Sequence, residues 1–248
     1  MNTLSATAAL DIFVNRLRVL APLSDQDVAA IRGLTAQVAR VPANSDISVP
    51  GQEFEYAVLV ASGLVGRFLQ LADGRRQITA IHLPGDIADL HRVATPRAGS
   101  ALQALSNVAI LRVSGRELRA IALASPAVTQ AFWVYSAIDA AILARWATNL
   151  RRDAKGRMAH LLCEVGTRME DSRQSERSEF LLELTQTQIG DALGLTPVHV
   201  NRTLKALKAA GVLEMDGRIV RVPDWPRLAA IADFDPDYLQ VEPPAEAA

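Results

Sequence analysis

Between Thr185 and Val222 the chain reads TQTQIGDALGLTPVHVNRTLKALKAAGVLEMDGRIVRV, and this order of residue types constrains the backbone more than any other stretch. Ile189, Ala192 and Leu193 make the apolar face of a first short helix. Gly194 supplies a break, because glycine enters a left-handed turn at little steric cost. Thr196 is placed to cap a second helix, and Pro197 sits in its first turn, where a missing N–H does no harm. Val200, Leu204 and Leu207 then recur at helical spacing and point inward, while His199, Arg202, Lys205 and Lys208 occupy the opposite face. Gly211 ends the helix, and Asp216-Gly217 reads as a hairpin turn between Val212-Leu213 and Ile219-Val222. A solvated amphipathic helix would explain the cations alone. The succession of cap, glycine, cationic helix and basic hairpin predicts a winged helix-turn-helix, which places its second helix in the DNA major groove.

The remaining composition sets bounds. A chain of 248 residues holds one large domain or two modest ones. Half its residues are hydrophobic and 21% are charged, so it is globular rather than disordered. A net charge of -1 does not oppose DNA binding, since a local basic face suffices for phosphates. The one cysteine, Cys163, excludes an internal disulfide framework and any four-cysteine zinc or cluster site. No basic stretch followed by a clean apolar run opens the chain. The longest apolar run, Ala131 to Ala144, contains Asp139 and is too short to span a bilayer. The expectation is a cytoplasmic protein with no membrane partner.

Ser24 with Asp27 forms a capping box for a helix through Val28 and Ile31 to Leu34. From Val38 to about Val113, short apolar runs alternate with turn residues such as Pro50-Gly51, Asp73-Gly74 and Pro84-Gly85, the pattern of an all-β barrel or roll. Pro126 opens a long helix in which Val134, Ile138, Ala141 and Ile142 place apolar surface on more than one face. One face packs on the roll, and the other is expected to meet a second copy across a two-fold axis; burial within one subunit is the alternative. Arg151-Arg152-Asp153-Ala154-Lys155 marks a hinge. A further helix runs from Gly156 to Val165, a polar loop spans 170–178, and a strand follows at Phe180–Leu184. The predicted class is α+β. Its parts are a roll domain with an N-terminal helix over 1–125, a dimerisation helix and hinge over 126–152, a winged helix-turn-helix over 153–240, and a disordered tail over 241–248.

This order of parts resembles the Crp/Fnr superfamily of transcription regulators. The resemblance rests on HLPGD at 82–86, RMAHLLCE at 157–164 and LTQTQIGDALGLTPVHVNRTLKAL at 184–207, and it covers residues from about 15 to 240. It implies a homodimer that reads a near-palindromic operator, with a cyclic-nucleotide-binding-like double-stranded roll sensing a signal. An activator of this kind would also touch RNA polymerase. By resemblance, Arg202 stands where such regulators aim an arginine at guanine, and guanidinium can bond both O6 and N7. Val198 stands where many members place a cytosine-reading glutamate, and Pro197 replaces an arginine or valine. The inner operator bases are therefore expected to differ from the standard half-site. Asn201 pairs with adenine or touches a phosphate. Thr187, Thr196 and His199 align with phosphate contacts, Gln186 lies close by, and Lys205 and Arg218 are backbone cations. Lys208 belongs to the solvated face.

The sensory positions fit less well. Cyclic-nucleotide-binding relatives carry a ribose-binding glutamate after the Gly-Asp pair and an arginine-serine pair for the phosphate. Here Ser100 matches, but Gly99 takes the arginine's place, leaving Asp89 and Arg97 as substitutes. A buried phosphate without its arginine loses its main charge-assisted bonds, which disfavours a cyclic nucleotide. A single cysteine cannot hold an iron-sulfur cluster, and Cys163 reads as a packed core residue. His82 and His91 are the only candidate haem ligands in the roll. They are also too few for the competing possibility, a cupin-like metal enzyme with an accessory DNA-binding domain. No catalytic residue and no metal site is expected.

Overall fold

The structure is a computed structural model and describes residues 6–51, 53, 55–95, 99–171 and 175–239. These fall into two compact units. One holds the residues up to Arg67 and Ile81–Ala140; the other holds Phe68–Ala80 and Ala141–Leu239.

In the first unit, α1 (Ala6–Leu20) buries Leu10, Phe13, Val14 and Leu17, which recur at helical spacing. Helix α2 (Asp25–Arg32) starts at the expected cap: Asp27 N–H donates to Ser24 Oγ, and Ser24 N–H donates back to Asp27 Oδ2 at 2.8 Å. Strands β1 (Ala36–Val41), β2 (Asp46–Ser48), β3 (Tyr56–Ser62), β4 (Val65–Gln70), β5 (Arg76–His82), β6 (Ala101–Ala104) and β7 (Val108–Ser114) follow. They form two sheets, β1-β7-β3 and β2-β6-β4-β5, with the end of β4 and most of β5 belonging to the second unit. The β1–β7 and β3–β7 pairs are antiparallel. Val58, Val60, Val65, Leu102, Ala104 and Ile110 pack into one apolar core, as alternation along the strands requires.

A helix absent from the sequence expectation, α3 (Gly115–Ala124), follows β7, capped by Ser114. The long helix α4 runs Pro126–Asn149, and its residues divide between the two units. In the first unit Phe132 packs near Phe13, and Tyr135 O–H donates to Ile87 O at 3.2 Å. Arg67 holds Asp139 at 2.9 Å and donates its other nitrogen to Ala88 O. By length and composition the whole of α4 is apolar enough to cross a membrane, which the run 131–144 is not. Counting only an uninterrupted run therefore understates the helix. The ion pair at Asp139 fits a helix packed on protein.

In the second unit, α5 (Ala154–Asp171) is buried nearly throughout, from Gly156 to Met169 apart from partly exposed Arg157. Strand β8 (Glu179–Leu181) is shorter than the expected Phe180–Leu184. Then come α6 (Gln186–Leu193), α7 (Pro197–Ala209), β9 (Glu214–Asp216), β10 (Ile219–Arg221), α8 (Trp225–Ala232) and a single turn at Pro236–Leu239. The wing sheet has the order β8-β10-β9. Asp216 pairs with Ile219, so the two loop residues are Gly217 and Arg218 rather than Asp216 and Gly217. Gly217 takes the positive φ of 57° that the first position of such a turn demands.

Candidate nucleic-acid interface

The two helices of the motif are set by local chemistry. Thr185 and Gln188 close a reciprocal capping box at the start of α6. Gly194 ends that helix at φ 64° and ψ 39°, the left-handed cap. The turn then folds back on α6: Leu195 N–H donates to Gly190 O at 3.0 Å. A Cβ on Gly190 would lie 2.4 Å from Leu195 O, so only hydrogen fits there. Thr196 Oγ1 accepts from His199 N–H at 3.3 Å, and Pro197 occupies the first turn of α7. Arg157 of α5 donates to Leu193 O at 3.0 Å, pinning the end of α6 to the unit's central helix.

Val200, Thr203, Leu204 and Leu207 face the core, and the other side of α7 is open. Thr196, Pro197, Val198, His199, Arg202, Lys205 and Lys208 are exposed, and Asn201 is half-buried. Gln186 and Thr187 are exposed on the first turn of α6. On the wing, Arg218 is exposed and reaches Glu183 Oε1 at 3.3 Å. Among the described residues no carboxylate pairs with Arg202 or Lys205. The arrangement offers anions the positive ends of two helices, backed by hydroxyls and unpaired cations. A planar guanidinium stands one turn inside the second helix, suited to a base edge.

The other expected sites come out differently. Asp89 is 1% exposed, and its Oδ1 accepts Val58 N–H at 2.8 Å. It thus fixes the backbone of β3 through one carboxylate oxygen. Ser100 is half-buried at the bend before β6, and Arg97 lies outside the described residues. His82 is buried and His91 exposed. Among the described residues no three metal-ligating side chains converge. Cys163 is buried, and burial pushes its thiol up to about 12.

On α4, Ile138 and Ile142 are buried within the chain, at 7% and 4% exposure, while Val134 and Ala141 are half-buried. The open stripe is instead Trp133, Ala137, Ala140, Ala144 and Ala147, flanked by Leu143. Apolar periodicity alone did not distinguish these two faces, because both are apolar. Sequence reasoning also missed the polar cluster on α5. Glu164 is wholly buried and accepts from Trp146, Tyr238 and Arg168. Its one signal was a glutamate within the apolar run Leu161–Val165.

A winged helix-turn-helix with an open cationic second helix, in a chain that also carries a β-roll and a long apolar helix, defines a DNA-binding regulator. The model of the Crp-like helix-turn-helix domain family matches residues 156–231. The nitrogen fixation regulation protein FixK of Azorhizobium caulinodans is 32% identical over 192 residues, covering 76% of this chain and 74% of its own length. The transcriptional activator protein FnrA of Stutzerimonas stutzeri is 24% identical over 211 residues, 85% of this chain and 86% of its own. The solved structure of FixK2 from Bradyrhizobium japonicum aligns with a TM-score of 0.72 at 28% identity, over 80% of this chain and 98% of that one. The chain belongs to the Crp/Fnr family and is a DNA-binding transcription regulator of that type, as its relatives are, and not an enzyme.

Proposed function

We propose that two copies pair along α4 and set their α7 helices in successive major grooves of a near-palindromic operator. Half-sites then lie about one helical turn apart. Arg202 carries this proposal: it is exposed, unpaired by carboxylates among the described residues, and one turn into a helix otherwise anchored by buried apolar residues. Arg202 reads a guanine in each half-site. Asn201 and Val198 face neighbouring bases. Gln186, Thr187, Thr196, His199, Lys205 and Arg218 position the phosphates. The dimer face is the open stripe Trp133, Ala137, Ala140, Ala144 and Ala147, with Ile138 and Ile142 serving the chain's own core.

The roll senses the controlling signal in the cytoplasm. Commitment of Asp89 to Val58, together with Gly99 in the phosphate position, argues against a cyclic nucleotide as that signal. Binding to the operator falls steeply with salt, because cations displace counterions from the duplex. The test is a mobility-shift titration on sequences selected from random DNA. Arg202→Ala is expected to cost about 1–3 kcal/mol and to relax one base pair per half-site. Unaltered affinity and base preference would refute the proposal.

A further inference from the structure

Val198 is the most exposed large apolar side chain of α7, at 77%, and it contributes nothing to the core. A lone surface valine is ordinary, but this one lies in the first turn of a helix whose open face, Pro197 and Ala209 apart, is otherwise polar or cationic. Base edges are met by just those N-terminal residues of an inserted helix. Valine offers no hydrogen bond. It rewards only an apolar group, and the single apolar group presented by base edges in the major groove is the C5 methyl of thymine. Arg202 lies four residues on, along the same face. A helix rises about 6 Å over four residues, against about 3.4 Å per base-pair step. The two side chains therefore span one or two steps.

We infer that Val198 selects a thymine methyl in each half-site, one or two base pairs from the guanine read by Arg202. This rests on the docking of α7 proposed above. The experiment uses the full chain and its selected operator, with each thymine replaced singly by deoxyuridine. That change deletes the methyl and leaves every hydrogen-bonding group in place. One thymine per half-site is expected to weaken binding about fourfold when replaced, the weight of one buried methyl. The same replacement is expected to leave the affinity of Val198→Ala unchanged.

Should every deoxyuridine site bind as thymine does, while Arg202→Ala still loses its guanine, the methyl contact is overturned and DNA reading survives. Should Arg202→Ala lose nothing as well, both fall together. The deoxyuridine series needs no protein variant, so misfolding cannot imitate either outcome.

Discussion

The indole N–H of Trp146 donates to both carboxylate oxygens of Glu164, at 3.1 and 3.0 Å, joining the last turns of α4 to the buried helix α5. Tyr238 O–H reaches the same carboxylate at 2.9 Å from the C-terminal turn, and Arg168 completes the set at 3.3 Å. Burial pushes the Glu164 carboxyl up, and Arg168, Tyr238 and Trp146 oppose that push. Tyr238→Phe removes one donor and is expected to cost about 1–3 kcal/mol. Glu164→Ala removes the acceptor shared by Trp146, Tyr238 and Arg168 and breaks the buried ion pair, and is expected to cost more, about 3–5 kcal/mol. Urea midpoints of the two variants check the order. Equal, small losses would mean the carboxyl contributes little to holding the helices together.

His160 stands beside this cluster, edge-on to Phe234 and stacked on Tyr238. Burial lowers its pKa to about 4, helped by the charges of Arg152 and Arg145 and opposed by Asp233. The folded state therefore keeps the ring neutral where the unfolded chain, titrating near 6.5, already binds a proton. Stability contributed this way is present above pH 6.5 and falls as pH drops from about 6.5 toward 4. The expected total is roughly 3 kcal/mol. His160→Phe keeps the ring and removes the titration. The stability difference between wild type and variant should therefore shift against wild type across that window. A pH-independent difference would show that His160 titrates alike in both states.

Two glycines of the helix-turn-helix should respond unequally to alanine. Gly194 is held at φ 64°, but a Cβ there meets nothing closer than 3.6 Å, so Gly194→Ala carries only backbone strain of about 1–2 kcal/mol. Gly190 sits in ordinary helix, yet its Cβ would press on Leu195 O at 2.4 Å. The carbonyl has no rotamer to escape into, so the turn must shift. Gly190→Ala is expected to lose more stability and to lower DNA affinity beyond that loss, because α7 moves with the turn. Chemical denaturation with a parallel mobility-shift assay separates the two effects. Equal behaviour of the two variants would place the strain elsewhere.

What was legible in the sequence was what local chemistry decides. Ser24 with Asp27, Thr196 with Pro197, and Gly194 each announce a helix end through groups within a few residues, and each is found as expected. The roll strands followed from alternation between turn residues. Helices α1, α3 and α8 were missed although each carries apolar residues at helical spacing: Leu10, Phe13, Val14 and Leu17 in α1, Leu118, Ile121 and Ala122 in α3, and Leu228, Ile231 and Ala232 in α8. The hairpin loop slipped by one position because Asp-Gly is a good turn dipeptide in either frame, and only the pairing of Asp216 with Ile219 decides it. The bond from Asp89 to β3 was illegible for a similar reason. The carboxylate answers a backbone N–H 31 residues away in sequence, which no motif encodes. The same holds for α4, where tertiary packing selects which apolar face is covered.

That last distinction gives a decisive test of self-association. Ala140 lies in the middle of the open stripe between Trp133 and Ala147, and its side chain is exposed. Small residues in that stripe let a second helix approach to about 8–10 Å. Ala140→Arg puts a long charged side chain into that gap and removes nothing from the chain's own core. The folded subunit should keep its stability to within about 0.5 kcal/mol, as surface substitutions do. Sedimentation should nevertheless report a monomer, and operator affinity should collapse once only one half-site can be held. Ile142→Ala inverts the pattern: about 2–5 kcal/mol of stability is lost from the buried side, and the surviving folded protein still pairs. A stable dimer of Ala140→Arg would move the two-fold contact off this face of α4.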